Sequence, residues 1–272
     1  MQAQVLSAIV NRVKIVRTIK YRQKYIIDLK HAGAGRVCVS VLNTKSDDSS
    51  YELRNGPIHI YSTFGSCFCF ISLTNFVLWD ASNRSWAGSY SSWPTLHVDE
   101  LSSGYTPNGI TACKSGAFLV SFWNQQVHDR SLGKVLKLSK KGRKQFEIGT
   151  DKNRPLFICP SYITENGNGD ICVSDVNAVV VTDAGGFLRF RYTGAQSDPQ
   201  FDPYGICCDS KNNIIVADMV RNRIHSIDEN GELLHYIQYK DMNMPRALCI
   251  DEHDNLYVGE WLSEKIKVLS LQ

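Results

Sequence analysis

Between Pro203 and Ile227 the chain reads PYGICCDSKNNIIVADMVRNRIHSI, three short apolar runs divided by polar turns. Gly205–Cys208 runs into the polar cluster Asp209–Asn213, Ile214–Ala217 ends on Asp218, and a basic loop leads to a run carrying Ile224 and Ile227. Runs of this length, rich in Ile and Val and bounded by Asp, Ser and Asn, predict consecutive antiparallel strands. The pattern recurs without a gap from Pro245, as PRALCIDEHDNLYVGEWLSEKIKVL. Pro203 then corresponds to Pro245, Asp209 to Asp251, Asp218 to Glu260 and Ile224 to Ile266. Upstream, Pro160 opens PSYITENGNGDICVSDVNAVVVTD with Asp175 in the place of Asp218, and Pro107 opens PNGITACKSGAFLVSFW with Phe122 there. Extra residues around Gln125–Gly133 lengthen that one step. FVLWDASNRSW puts Asp80 one repeat before Phe122, and the same step back reaches Cys38, inside the apolar run Arg36–Leu42.

A repeat of about 42 residues with three or four short strands per unit is the signature of a β-propeller blade. Cys38, Asp80, Phe122, Asp175, Asp218 and Glu260 are the candidate anchors, which predicts an all-β, six-bladed β-propeller. The last unit stops at Leu271 without the outer strand that Glu232–Ile237 supplies one unit earlier. Val13–Ile19, VKIVRTI, is read as that missing strand, so that an N-terminal strand closes the last blade and removes two open sheet edges. The alternative leaves residues 1–60 as a divergent segment and the ring incomplete. Residues 13–272 are thus one propeller, with clear repeats over 105–272, degenerate blades over 13–104 and an N-terminal extension over 1–12. Lys45–Asn55 reads as a hairpin loop between strands near 36–42 and 57–63. Glycine turns between third and outer strands are expected at Gly142, Gly185–Gly186 and Gly231.

The repeat resembles the NHL family, whose usual form is Pro-x-Gly-Ile-x-x-Asp, a strand ending Val-Ala-Asp, then Asn-x-Arg-Ile. The match is close over Pro203–Ile227 and fair over Pro245–Leu269 and Pro160–Asp183. Ile163–Arg191 is similar to the C-terminal propeller of tripartite-motif (TRIM-NHL) proteins. The resemblance implies a recognition surface that holds a protein for ubiquitination or binds single-stranded RNA to silence a messenger. The RING, B-box and coiled coil that carry ligase activity in such proteins have no counterpart here, so it implies a chain without that activity.

Composition adds limits. The chain has 272 residues, 43% of them hydrophobic, enough for one large all-β domain. A net charge of +3, from 30 Lys+Arg against 27 Asp+Glu, is too mild to require a nucleic-acid partner. Val5–Val10 is too short for a signal-peptide core and no run suits a membrane span, so the reading is soluble and cytoplasmic, without a membrane partner. The nine cysteines fall mostly in expected strands without zinc-ligand spacing and read as reduced, buried small hydrophobes.

Four features invite chemistry. The repeated carboxylates Asp80, Asp175, Asp218 and Glu260 could form a metal-binding annulus, but a repeated Asp more often bonds backbone amides of the following loop, and they are read as structural. The loops after them, with those leading into each inner strand, share one face, here called the top face. Arg84, Asn108, Trp123, Gln126, His128, Arg130, Tyr204, Met219, Arg221, Arg223, Arg246 and Trp261 are placed on it as candidate binding residues. Exposed aromatics beside arginines suit stacking, phosphate contact or a protein hot spot, unless the tryptophans fold back over blade edges. The basic run Lys137–Lys144 sits at a turn on the opposite face and reads as a solvated hairpin. Seven scattered histidines give no nucleophile elbow, and no cofactor or metal motif is visible.

The expectation is therefore a non-catalytic binding module, the substrate- or partner-recognition propeller of a TRIM-NHL-type ubiquitin ligase system, with single-stranded RNA binding as its alternative. The competing class is a metal-dependent propeller hydrolase or lyase. It needs acidic, Asn or His side chains from several first strands, and GITAC, YIT, GICC and ALCI offer almost none.

Overall fold

A computed structural model describes residues 10–13, 15–20, 26–31, 36–41, 58–63, 66–71, 76–80, 85–87, 95–96, 104–124, 133–139, 143–195 and 200–271. The first third of the chain contributes β1 (Val10–Arg12), β2 (Ile15–Lys20), β3 (Ile26–His31), β4 (Arg36–Val41), β5 (Ile58–Thr63), β6 (Ser66–Ile71), β7 (Phe76–Asp80), β8 (Ser85–Ala87) and β9 (Thr95–Leu96). Next come β10 (Thr106–Ala112), β11 (Phe118–Trp123), β12 (Lys134–Leu138), β13 (Lys144–Ile148) and the small hairpin β14 (Thr150–Asp151) and β15 (Arg154–Pro155). The repeat then runs through β16 (Ile163–Glu165), β17 (Ile171–Asp175), β18 (Ala178–Thr182) and β19 (Leu188–Tyr192). It continues as β20 (Pro203–Cys208), β21 (Ile214–Asp218), β22 (Arg223–Ile227) and β23 (Leu233–Gln238), and ends with β24 (Pro245–Ile250), β25 (Asn255–Glu260) and β26 (Lys265–Ser270).

Four sheets are up-and-down meanders of the kind the repeat predicts: β10 to β13, β16 to β19, β20 to β23, and β24 to β26. The last gains its fourth strand from β2, which pairs antiparallel with β26 from Ile15 opposite Leu269 to Lys20 opposite Lys265. The strand just before it, β1, adds to the β20–β23 sheet in parallel with β23, Val10 opposite Tyr236. The architecture is an all-β propeller.

Burial explains the strand chemistry. Every residue of β17, β18 and β21 is buried, because second and third strands are sandwiched between neighbouring blades. Outer strands such as β19 alternate, since one face meets water. The cores lie between blades. Leu119, Val135 and Ile148 pack on Ile163, Val173 and Val180, while Val179 and Val181 pack on Ile206, Ile214 and Val216. Ile215, Ala217 and Ile224 in turn meet Leu248, Leu256 and Val258. At the axis, inner strand β24 packs on β20 and β3, β20 on β16, and β16 on β10. Their approach is close enough that a Cβ on Gly205 would lie 2.4 Å from the Arg246 carbonyl oxygen, and one on Gly109 would lie 1.9 Å from that of Ser161.

The early part of the chain departs from the expected register. Cys38 and Asp80, expected to anchor separate blades, lie in one sheet of order β3-β4-β7-β8, where Arg36 stands opposite Asp80 and Cys38 opposite Leu78. The hairpin β5–β6 is inserted between β4 and β7 and forms its own sheet with β9. The insertion makes the separation of Cys38 and Asp80 match one repeat. Lys45–Asn55, expected as a hairpin loop, lies outside the described residues; the strands on either side, β4 and β5, belong to different sheets. Against the six blades expected, four show the complete meander. Of the expected glycine turns, Gly186 (φ 90°) and Gly231 (φ 95°) adopt positive φ, a conformation open to glycine at low cost, and Gly142 lies outside the described residues. Among the described residues, no helix is long and apolar enough to cross a membrane.

Candidate axial site

Pro203 stands opposite Asp218 and Pro245 opposite Glu260, which sets the loops after second strands and those leading into inner strands at one end of the blades. The close packing of β20 against β24 there brings Tyr204 to Arg246. The Arg246 guanidinium carbon lies 4.8 Å from the Tyr204 ring centroid and 4.2 Å from that of Trp261. Arg246 Nε donates to Tyr162 Oη at 3.1 Å, and the Tyr162 and Tyr204 rings meet at 6.3 Å with a tilt of 58°. Cation–π contacts on an indole and a phenol, plus one hydrogen bond, fix the plane of the guanidinium. Its terminal amino groups make no hydrogen bond among the described residues.

Inner strand β3 adds Asp28 and Lys30, two apart and so on one side of the strand, with Lys30 Nζ 3.2 Å from Asp28 Oδ2. Burial raises the Asp28 carboxyl above its ordinary value, opposed by Lys30 and by the charge of Arg246. Burial likewise raises the Tyr162 phenol, again opposed by Arg246. Asp202, just before β20, is raised by burial and by the negative charge of Asp218, with Arg246 pulling the other way. Asp202 has no hydrogen bond or ion pair among the described residues. A fixed cation thus shares the axial mouth with two carboxyls of raised pKa and a half-buried phenol, the combination general acid–base chemistry needs.

The carboxylates of the repeat divide. Asp175 accepts from the backbone N–H of Ile158 and Cys159, at 2.8 and 2.6 Å. Glu260 accepts from Asn243 N–H at 2.9 Å and from Tyr239 Oη at 2.7 Å. Each ties down the loop leading into its own blade's inner strand, and Asp175 also accepts from the Val176 N–H of the loop that follows it. Asp218 is fully buried and bonds no such amide. Its Oδ2 lies 3.3 Å from His225 Nε2, 3.6 Å from Arg223 Nε and 3.7 Å from Arg221 Nη1, while Oδ1 has no partner among the described residues. His225 Nδ1 is 2.8 Å from Tyr192 Oη. Asp80 ends β7, in the sheet described above.

The remaining expected top-face residues scatter. Met219 is buried, and its neighbour Val220 is the exposed residue of that loop. Arg221 donates to the Gln200 carbonyl at 2.5 Å, and Arg223 stacks 4.1 Å from the Tyr236 ring centroid, so both turn to the Asp218 cluster and form no basic patch with Arg246. Asn108 donates to the Pro160 carbonyl at 3.2 Å, bridging two blades. Trp123 is half-buried, and its Nε1 has no partner among the described residues. Arg84, Gln126, His128 and Arg130 lie outside the described residues. Of the expected set the axial site keeps Tyr204, Arg246 and Trp261, and it adds Asp28, Lys30, Tyr162 and Asp202. Tyr162 carried a signal in the sequence, because it stands where the other repeats place Gly109, Gly205 and Ala247.

No protein-family profile matches the chain, and no curated protein matches its sequence. Solved structures do match. A luciferin-regenerating enzyme aligns over 93% of this chain and 95% of its own at a TM-score of 0.64 and 13% identity. Regucalcin from Agrobacterium tumefaciens, described as a calcium-binding protein, aligns over 97% of both chains at 0.60 and 12%. Virginiamycin B lyase from Staphylococcus aureus aligns over 94% of this chain and 99% of its own at 0.55 and 14%. The shared property is the propeller fold. These comparisons overturn the expectation of a non-catalytic recognition head of a tripartite-motif ligase system, since two of the three are catalysts and none is such a ligase. The argument from apolar first strands fails for a physical reason. The polar groups enter from β3, which the repeat did not identify as an inner strand, and from the first residues of the others.

A divalent cation at this mouth does not fit the described donors. No three His, Cys, Asp or Glu side chains come together among the described residues, and the mouth sets two cations beside its carboxyls.

Proposed function

We propose that this chain is a propeller enzyme of the hydrolase or lyase class, working on an ester or lactone at the axial mouth. The observation that carries the reading is the convergence of Arg246, Tyr162, Asp28 and Lys30 from different blades on the axis. Six blades belong to the same reading: β6 lies against both β10 and β3, which brings the β5–β6–β9 sheet into the ring beside the β3–β4–β7–β8 sheet. Arg246 stabilises negative charge as it develops on the substrate carbonyl oxygen, with its plane already set by Trp261, Tyr204 and Tyr162. Asp202 is the base. In hydrolysis it takes a proton from water as the water oxygen bonds to the carbonyl carbon, and it returns that proton to the alkoxide as the ester C–O bond breaks. In elimination it takes the proton next to a carbonyl, the C–H electron pair becomes the new double bond, and the neighbouring C–O pair leaves with a carboxylate.

Purified protein incubated with a panel of lactones and linear and cyclic esters, followed by mass spectrometry, tests this. Product heavier by one water means hydrolysis, and cleavage without added water means elimination. Asp202→Asn and Arg246→Met should each lower turnover by about 100-fold or more without changing the circular dichroism spectrum. Absence of turnover across the panel, or turnover untouched by both substitutions, overturns the proposal.

A further inference from the structure

The guanidinium of Arg246 is constrained on three sides. Both ring contacts and the Nε bond to Tyr162 are made within the protein, while the terminal amino groups have no acceptor among the described residues. Two parallel N–H donors at a fixed angle match the two oxygens of a planar carboxylate, and stacking keeps the fork in one plane. Inorganic phosphate can engage the same fork but brings no apolar body to the mouth. The loops of the same face are apolar where water would be expected: Val176, Val220 and Leu262 expose 45%, 61% and 47% of their surface, and Leu262 follows Trp261 directly. We infer that the axial mouth is a seat for an organic carboxylate with an apolar body, held through its two oxygens by Arg246. The inference rests on the reading above, because ester hydrolysis and elimination both release a carboxylate, which would then be the product this seat retains.

The test is binding, and so is independent of turnover. Acetate, hexanoate, hexanamide and inorganic phosphate are titrated into the full chain by calorimetry and by tryptophan fluorescence. Hexanoate should bind at least about tenfold tighter than hexanamide and phosphate, for want of a paired oxyanion in one and of an apolar body in the other. It should also exceed acetate by about tenfold, through its added methylenes. Arg246→Lys should lose about tenfold in hexanoate affinity, because the charge stays and the fork goes. The fluorescence change should vanish in Trp261→Phe while the heat of binding persists. Equal affinity for hexanoate and hexanamide, preference for phosphate, no hexanoate binding, or an unaffected Arg246→Lys protein each overturns the inference. The comparisons among ligands use the unaltered protein and stand even if a variant fails to fold. Carboxylate binding without ester turnover would overturn the enzyme reading alone, and turnover without carboxylate selectivity would overturn only the seat.

Discussion

Asp175, Asp218 and Glu260 hold one position in the repeat and serve different ends, because each finds different partners. Asp175 and Glu260 meet backbone donors; Asp218 meets two arginines and His225. Asp251, which shares its repeat position with Asp209, shows the other kind of structural carboxylate. Its Oδ1 accepts from the His253 and Asn255 backbone at 2.9 Å each, and its Oδ2 accepts from the Asn255 side chain at 2.9 Å and Tyr257 Oη at 3.3 Å. Burial alone would raise its pKa, but these hydrogen bonds together hold it below the ordinary carboxylate value. A depressed carboxyl stabilises the fold above its unfolded value, and that contribution is lost as pH falls through the folded one. Asp251→Ala should therefore cost about 1–2 kcal/mol at pH 7 in urea unfolding. The difference from the unaltered protein should narrow below about pH 4. A gap that stays constant over that range would contradict this account.

At the scale of strands, the blades are held by side chains between them and by inner strands that nearly touch. Gly205→Ala brings a methyl within van der Waals overlap of the β24 backbone, which cannot yield as a flexible side chain could. A loss of about 1–3 kcal/mol in chemical unfolding is expected; an unchanged midpoint would show that the blades separate freely. The repeat in Pro203–Ile227 and Pro245–Leu269 was legible because every position that packs between blades recurs, from the prolines to the buried Ile224 and Ile266. The outer strand supplied by β2 was legible too, since the last unit lacked one. The β3 strand was not. Ile26–His31 carries Asp28 and Lys30 where other inner strands are apolar, and that ion pair lies at the axial mouth. The inserted β5–β6 hairpin then placed Cys38 and Asp80 a false repeat apart. Met219 was misread for a simpler reason: in its loop the side chain turns inward, and Val220 takes the exposed place.

For the whole molecule, the N-terminal strands bind the last two blades. β1 extends the β20–β23 sheet and β2 completes the β24–β26 sheet. A chain without residues 1–20 would present the edge of β26 to solvent and to other chains. It should unfold at a lower denaturant concentration than the intact protein and elute as larger species in size-exclusion chromatography. A monomer of unaltered midpoint would mean that closure contributes nothing.

The pairing of Ile15 with Leu269 also sets an order of events in the cell. Middle blades such as β16–β19 can form as they leave the ribosome, since their strands are neighbours in sequence. The final sheet cannot, because β2 precedes β26 in the chain by the whole run of blades between them. Until β26 is made, β2 is an unpaired segment in search of a partner. The nascent protein is thus an open arc with one adhesive end while those blades are synthesised. The ring closes only once β26 has left the ribosome, and any slowing before that point prolongs the exposure of β2 to the wrong partner.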